Sequence, residues 1–353
     1  MNVNLTPPSE REFPATRLEQ RRQQLVSRIE AEQHEQPRPL YRRRAPVAGV
    51  ALTAAAAAAI TLTLLLPAGS SDTLSSAGRY IHTLPLAKRS EGGRQLATLV
   101  LLRAARTAAN QAPATPGPGQ FSYTKSETFY EIVQESPKGP AAIAFQPSTR
   151  EIWIAPDGSG RIREDEGHLV FATHADAAYF YHAYRNQMNL LKAHTGDDHE
   201  GPGGLGYTDL SNVPTDPAKL KQLIESRNSR VASGPPGDAE TFTLIGDMLR
   251  ETSAPPAVRS ALYTIVSQLP GVQLIGQTHD QLGRPGIGVA YVSRGLRDEL
   301  IFDPQTSALL GEQQSVVETS RDNPFPPGSV IGWAAYLASG VVNSTSDTTS
   351  ATP

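Results

Sequence analysis

The chain of 353 residues contains no cysteine. This absence excludes a thiol nucleophile, a disulfide framework, zinc sites built from thiolates and lipidation of a cysteine. Aromatic residues make up only 6% of the sequence, while 39% of the residues are apolar. A chain of this length can bury a full hydrophobic core, so it needs neither a disulfide nor a structural metal in order to fold.

No charged residue occurs between positions 46 and 67, and the net charge differs on the two sides of this gap. Residues 1–45 contain nine arginines, no lysine and six acidic residues, which give a local charge of +3. Because the whole chain carries −3, the residues beyond 67 must sum to −6. A domain with that charge repels a polyanion, so we predict that it has no nucleic-acid partner.

The uncharged segment from Val47 to Leu66 is twenty residues long and contains no Asn, Gln or His. At about 1.5 Å per residue, a helix of this length spans roughly 30 Å, the thickness of the hydrocarbon core of a bilayer. It lacks the polar stripe of a buried helix in a soluble protein. The LLLPAGSSD that follows lacks the A-x-A pattern of a cleaved signal peptide. We therefore predict a transmembrane helix over residues 46–67, bound to the lipid bilayer through residues 47–66.

Arginines flank this segment on one side only. Arg38 and residues 42–44 precede it, whereas Asp72 and Arg79 are the only charged residues shortly after it. Positive charge favours the cytoplasmic side, so we expect a single-pass protein of the cell membrane with its N-terminus inside. The predicted organisation is a cytoplasmic arginine-rich tail (1–45), a transmembrane helix (46–67), a linker (68–90), an extracytoplasmic α+β domain (91–344) and a disordered C-terminal tail (345–353).

The cytoplasmic tail contains one stretch with helical character. Residues 15–35 are rich in good helix formers and place Leu18, Leu25 and Ile29 near one face. Two interpretations remain open at this point. The stretch is either a solvated juxtamembrane helix or a docking helix that folds on a cytoplasmic partner.

Apolar periodicity and turn residues predict an α+β fold beyond the linker. Helices grouped together and strands grouped as hairpins favour a curved antiparallel sheet packed on helices rather than β-α-β units. In the first helix, Leu96, Val100 and Ala104 are expected to face the core, broadened by Leu99 and Leu102. The predicted helices are 91–110, 174–194, 216–228, 240–251 and 257–269. The predicted strands are 120–133, 150–155, 160–163, 272–278, 286–294, 297–302, 309–319 and 330–343.

Two helices have further sequence support. Asp216 before Pro217 predicts an N-cap followed by proline at the first helical position. In the helix 174–194, Tyr181, Tyr184, Met188 and Leu191 stand at core spacing.

The stretch 194–206 carries two patterns that could indicate a site. Residues 201–206 match the G-x-G-x-x-G expression, but no strand is predicted before them and no helix after them, so we interpret them as a flexible loop. The cluster just before could chelate a metal, although its two histidines are five residues apart around a glycine. A solvated loop is the favoured interpretation of this cluster, which comprises His194, Asp197, Asp198, His199 and Glu200.

The remaining candidate residues favour structural roles. His174 and His182 lie eight residues apart without an acidic neighbour at matching spacing. Ser159 lies between two glycines in a predicted hairpin turn, where turn chemistry is expected rather than a nucleophile. Trp153 and Trp333 lie in predicted strands, and they could line a groove only if they share one face. Because no catalytic motif appears, we predict a protein that is not an enzyme, with no catalytic residues, cofactor or metal and with its ligand-binding residues unknown.

Several stretches resemble one known family. They are GPGQFSYTKSE (117–127), WIAPDGSGRIRE (153–164), PPAVRSALYTIVSQLPGV (255–272), GQTHDQLGRPGIGVAY (276–291), LIFDPQTSALLGEQ (300–313) and AAYLASGVVNS (334–344). In this order, after an alanine-rich span, they resemble an actinobacterial family of single-pass membrane proteins of unknown function. Members are often found beside extracytoplasmic-function sigma factors, which implies an anti-sigma-like or sensor role. The outer domain also looks similar to the lipoprotein-carrier architecture, which implies an apolar groove.

Three functional hypotheses follow. The first is a membrane-anchored domain that binds an envelope ligand or protein and signals to a sigma factor through residues 1–45. The zinc-binding anti-sigma module needs a histidine and two cysteines, so such a contact would form without it. The alternative is a carrier of lipid-like cargo or an envelope chaperone, which needs a large apolar cavity. The third is a cell-envelope hydrolase, which needs a cleft with a nucleophile or paired carboxylates.

Overall fold

A computed structural model of the chain describes eight stretches of residues. They are 93–112, 115–134, 142–183, 193–202, 213–228, 237–250, 254–320 and 323–349. The predicted cytoplasmic tail, transmembrane helix and linker lie outside these stretches, as do residues 350–353. Among the described residues, no helix is both long enough and apolar enough to cross a bilayer.

The described residues form an α+β domain of five helices and nine strands, which confirms the predicted class. The helices are α1 (Gly93–Ala109), α2 (His174–Ala183), α3 (Pro217–Asn228), α4 (Asp238–Arg250) and α5 (Pro256–Gln268). The strands are β1 (Phe121–Gln134), β2 (Ala142–Ile154), β3 (Gly160–Glu166), β4 (His194–Glu200), β5 (Gln273–His279), β6 (Pro285–Ser293), β7 (Leu296–Phe302), β8 (Leu309–Val316) and β9 (Val330–Val342).

All nine strands belong to one sheet in the order β4-β3-β2-β1-β9-β8-β7-β6-β5. Every neighbouring pair is antiparallel. Two runs of sequential neighbours, β1 to β4 and β5 to β9, are joined where β1 pairs with β9. The long strands β1 and β9 therefore form the middle of the sheet, and the short strands β4 and β5 form its two edges.

The five helices pack on one face of this sheet. Four of them, α1, α3, α4 and α5, share a core cluster with sheet residues that include Tyr130, Leu300 and Tyr336. Helix α2 packs through Phe180 against Ala144, which the pairing register places on the same face as Tyr130. We call this the helix side of the sheet and the opposite face the outer face.

Helix α1 buries a face that only partly matches the predicted one, since Ala104 is buried and Val100 packs against the core as expected. Ala97, Leu101 and Ala108 are buried, whereas Leu96 and Leu99 are 52% and 62% exposed. Apolar residues surround most of this helix, so their periodicity did not decide its orientation. The small residues permit close packing on α5, where the Thr98 hydroxyl donates to the Ser267 carbonyl oxygen at 3.1 Å. The prediction for Leu96 and Leu99 was therefore wrong.

The region from 174 to 200 is also divided differently. Helix α2 is described over His174–Ala183, residues 184–192 lie outside the described stretches, and His194 begins strand β4 instead of ending a helix. Tyr181 is largely exposed, and the other residues that we placed at core spacing, Tyr184, Met188 and Leu191, lie outside the described residues. The metal-candidate cluster is thus an edge strand and not a solvated loop, because its backbone pairs with β3 along seven residues.

Local signals at several boundaries were correct. The Asp216 carboxylate accepts a hydrogen bond from the Lys219 backbone N–H at 2.9 Å and caps α3 as predicted. Asp157 accepts from both the backbone N–H and the hydroxyl of Ser159 in the β2–β3 turn, and Gly158 has a positive φ of 75°. Turn chemistry thus accounts for Ser159, and the D-G pair sets this hairpin.

The first part of the predicted disordered tail lies against the outer face. The indole N–H of Trp153 donates to the Asp347 carbonyl oxygen at 2.6 Å. The guanidinium of Arg161 donates to the Thr345 carbonyl oxygen at 2.9 Å. Residues 345–349 are therefore held by side chains of β2 and β3, which corrects the prediction for this part of the tail.

Candidate functional site

Two neighbouring rows of paired residues cross the middle of the sheet and face opposite sides. In the helix-side row, Tyr130 pairs with Gly332, Gly332 with Gln314, and Gln314 with Asp298. In the outer row, Phe129 pairs with Trp333, Trp333 with Gln313, and Gln313 with Glu299. Directly paired residues project from the same face. The consecutive acids Asp298 and Glu299 are therefore buried on opposite sides of β7.

An ion cluster lies between α4 and the helix side of the sheet. The Arg250 guanidinium contacts Asp247 at 2.9 Å and Glu312 at 2.9 Å. The Tyr130 hydroxyl donates to the Glu312 carboxylate at 3.1 Å. Burial lowers the pKa of Arg250, but the charges of Asp247 and Glu312 outweigh it and hold that pKa well above its usual range. The cluster ties the end of α4 to β8 and β1.

Asp298 lies on the same side and has no ion-pair partner among the residues that the structure describes. Burial raises its pKa well above the usual range of an aspartate, and the nearby charge of Glu312 adds to the rise. The Gln314 amide, 3.5 Å from its carboxylate, opposes this rise. Burial of Asp298 within the core thus favours its neutral form.

Glu299 occupies the matching position on the outer face. One of its oxygens accepts a hydrogen bond from the Gln313 amide at 2.7 Å. The other, Oε1, is buried without a hydrogen-bond partner among the described residues. Burial raises the pKa of Glu299 to about 8, against the lowering effects of the Gln313 hydrogen bond and the charge of Arg297. Gly288 makes room for this carboxyl group, because a Cβ there would lie 2.0 Å from Oε1.

An open depression lies at the other end of the outer row. It has a volume of about 230 Å³. The outer row continues from Phe129 to its partner Pro147 on β2. The depression lies between this row, which contributes Trp333 and Pro147, and the next row of paired residues on the same face. That row contributes Glu127, Thr149 and Asp165. Asp165 is already engaged, since it accepts from the Thr195 hydroxyl at 2.6 Å and contacts Arg163 at 3.5 Å. Glu127 has no ion-pair partner among the described residues.

A charged surface continues from this depression across β1, β2 and β3. Glu151 lies at its centre. Its carboxylate accepts a hydrogen bond from the Tyr123 hydroxyl at 2.7 Å and contacts Lys125 at 3.6 Å and Arg163 at 3.8 Å. Arg161 makes a two-pronged contact with Asp197 at 2.7 and 2.8 Å and lies 5.1 Å from the centre of the Trp153 ring. We call this surface, together with the depression, the outer-face patch.

The two tryptophans share a face, as a groove would require. The register places Trp153 opposite Tyr123 and Trp333 opposite Phe129, which are six residues apart on one side of β1. Six residues of strand separate them by about 20 Å. Trp153 is covered by residues 345–349, and only Trp333 borders the depression. They therefore do not line one groove.

Strand β4 separates the candidate metal ligands. His194 pairs with Glu166 and His199 with Arg161, so the two histidines project from opposite faces. His194 contacts Glu166 at 3.2 Å, and Asp197 is bound by Arg161. Within the part of the chain that the structure describes, no three His, Asp or Glu residues are grouped so as to hold a metal ion.

The other candidates from the sequence remain apart from the outer-face patch. His174 and His182 are both exposed on α2. Gly201 and Pro202 follow β4, so a strand does precede the glycine pattern, contrary to the prediction. That strand is an antiparallel edge rather than part of a β-α-β unit, and residues 203–206 lie outside the described residues.

Sequence reasoning missed the buried charges. Asp298 and Glu299 lie in a strand that was predicted correctly, LRDELIF, in which every residue is buried. The signal in the sequence was the conflict between two adjacent acids and the apolar residues around them. Arg250 and Glu312 gave no signal, because they are far apart in sequence and meet only through the packing of α4 on β8.

Comparisons with known proteins do not show a family for this chain. No family model matches the sequence, and no curated protein matches it. One solved structure with a distant likeness is the complex of Pseudomonas aeruginosa MucA/MucB, at 14% identity and a TM-score of 0.24. The match covers 70% of this chain and 58% of that chain, so this chain spans less than two thirds of that chain's length. A likeness at this level says nothing about what the chain binds.

Proposed function

We propose that this chain is a membrane-anchored, non-catalytic regulator whose extracytoplasmic domain binds a protein partner through the outer-face patch. The anchor is the segment 47–66, and the tail 1–45 lies in the cytoplasm. The observation that carries the proposal is the unequal cover of the sheet. The described helices pack on one face, while the part of β1 to β3 that residues 345–349 leave uncovered on the other face presents charged side chains and an open depression.

The shape of the depression favours a protein over a small molecule. Small-molecule sites are mostly apolar and enclosed, with volumes of roughly 300–1,000 Å³. The depression beside Trp333 is smaller, at about 230 Å³, and is lined largely by polar residues. It has room for one side chain of a partner. Glu127 supplies a negative charge there, so a lysine or arginine of the partner fits best.

The alternatives receive less support. A carrier of lipid-like cargo needs space between helices and sheet, but large side chains such as Leu101, Phe242 and Tyr263 fill that layer in the described domain. A hydrolase needs its carboxylates in a cleft. Glu312 is instead buried beneath α4 and Asp298 is buried within the core, while Asp165 in the depression is engaged by Thr195 and Arg163.

The binding surface can be tested by site-specific crosslinking in intact cells. A photoreactive residue at Thr149, in the depression, should crosslink a partner protein, whereas one at the exposed Gln222 of α3 should not. Adding Glu127→Arg to the Thr149 variant should abolish the crosslink, because the charge of the depression is reversed, while Glu127→Gln should only weaken it. A crosslink that is equally strong from Gln222, or insensitive to Glu127→Arg, would contradict the proposal.

The signalling part needs a separate test. The resemblance to a family found beside extracytoplasmic-function sigma factors supports a contact between residues 1–45 and such a factor. Deleting this tail should change transcription from promoters of the neighbouring sigma factor, and Glu127→Arg should change it in the full-length chain. Protease added to intact cells should cleave the large domain. An unchanged transcript profile would contradict the signalling role. A large domain that is protected from the protease would contradict its placement outside the cell.

A further inference from the structure

Helix α1 has an exposed side that the packing of the domain does not explain. Leu96 and Leu99 are the two most exposed leucines among the described residues, at 52% and 62%. They lie one turn apart. Arg103 and Arg106 continue the same stripe over the next two turns, and both are exposed. The stripe is thus apolar at the start of the helix and basic towards its end.

The charge of α1 is opposite to that of the domain. The helix contains three arginines, including Arg94, and no acidic residue, whereas the chain beyond residue 67 sums to −6. Exposed leucines with flanking arginines are the pattern of a helix that lies on an anionic lipid surface. A parallel contact between two copies through this stripe would bring arginines of both copies together, and an antiparallel one would place arginines on leucines, so neither arrangement suits a second copy.

The position of α1 in the chain brings it close to a bilayer. It begins at Gly93, and 25 residues separate it from the predicted span that ends at residue 67. Even fully extended, a chain of that length reaches only about 85 Å. Its apolar end, with Leu96 and Leu99, is also the end nearest to the span in sequence.

We propose that the exposed stripe of α1, formed by Leu96, Leu99, Arg103 and Arg106, lies on the membrane surface. The leucines enter the boundary between headgroups and acyl chains, and the two arginines bind lipid phosphates. This contact fixes which side of the domain faces the bilayer. The inference rests on the proposed anchoring through residues 47–66.

The absence of cysteine allows single labels in the full-length chain. Leu99→Cys and, as a matched control, the exposed Leu282→Cys in the β5–β6 turn are each labelled with an environment-sensitive fluorophore. Both proteins are reconstituted into phosphatidylglycerol or phosphatidylcholine vesicles that contain a spin-labelled lipid as quencher. The label at 99 should be quenched and blue-shifted, and the label at 282 should not. Adding Arg103→Gln and Arg106→Gln should lower the ratio of docked to free label roughly 30-fold on anionic vesicles only.

Three other outcomes would overturn the inference, and the measurements distinguish them. If the chain does not float with the vesicles, the anchoring fails and the inference fails with it. If the chain floats but the label at 99 is quenched no more than the one at 282, the anchoring stands and only the membrane contact is wrong. Self-quenching between labels at 99 that rises with the number of chains per vesicle would show that a second copy covers the stripe.

Discussion

Two buried acids on opposite faces of the sheet, Glu312 and Glu299, differ in the partners that they meet. On the helix side, Glu312 meets Arg250 and the Tyr130 hydroxyl, so its charge has a cation and a hydrogen-bond donor. On the outer face, Glu299 meets one amide, and burial raises its pKa to about 8. A buried charge is retained where a partner compensates the lost hydration, and a proton is taken up where none does. The sheet thus has a permanently charged ion cluster on its helix side and, on the outer face of β7, the Glu299 carboxyl group with a pKa of about 8.

The largest effect is expected from breaking the ion cluster. Arg250→Met removes the cation and leaves Asp247 and Glu312 buried beside each other, which should cost about 3–5 kcal/mol of unfolding free energy. Lys221→Gln, which removes an exposed pair with Glu225, should cost less than about 0.5 kcal/mol. Urea unfolding of the detergent-solubilised full chain measures both. If the two variants lost equal amounts of unfolding free energy, the charges around Arg250 would be hydrated rather than buried.

The second effect concerns pH on the outer face. The pKa of Glu299 rises from 4.5 to about 8 on folding. Below pH 4.5 its carboxyl group is neutral in both the folded and the unfolded state, so it causes no loss of stability there. As pH rises towards 8 the unfolded state ionises first, so the folded state loses stability, by several kcal/mol at about 1.4 kcal/mol per pKa unit. Glu299→Gln should remove this loss. The difference in unfolding free energy between variant and wild type should therefore grow in favour of the variant from pH 4.5 to 8.

Two features of that experiment separate Glu299 from a general pH effect. Below pH 4.5, the difference in unfolding free energy between the two proteins reports only the altered hydrogen bond to Gln313. The prediction holds for either sign of that difference. Thr149→Ala, on the same face, removes no ionisable group and should leave the pH profile almost parallel to that of the wild type. A flat difference for Glu299→Gln would mean that its carboxyl group is hydrated.

The smallest effect is expected from the segment that covers Trp153. Truncation after Ser344 removes the Asp347 and Thr345 carbonyl oxygens that accept from Trp153 and Arg161, and it should cost about 1 kcal/mol. In a Trp333→Phe background, acrylamide quenching should show Trp153 becoming accessible to solvent. Truncation after Thr349 is the matched control and should change neither quantity. Unchanged quenching after the longer truncation would mean that this segment does not cover the outer face.

Local chemistry made several elements predictable. Asp216 with Pro217 fixed the start of α3, and the D-G turn fixed the β2–β3 hairpin. These signals involve residues a few positions apart, so they act before the chain is folded. Helix α1 gave no such signal, because leucines occur on both of its sides and only the contact with α5 selects one.

The sequence by itself determined the class of fold, most of the strands and the charge difference between the tail and the rest of the chain, because these depend on composition, periodicity and turn residues. Only the tertiary structure decided which residues meet. Arg250 reaches Glu312 across 62 positions, and the outer row joins Phe129 to Glu299 through strands from both ends of the domain. Strand pairing and helix packing set such contacts, and the free energy of burial depends on the partners that they supply.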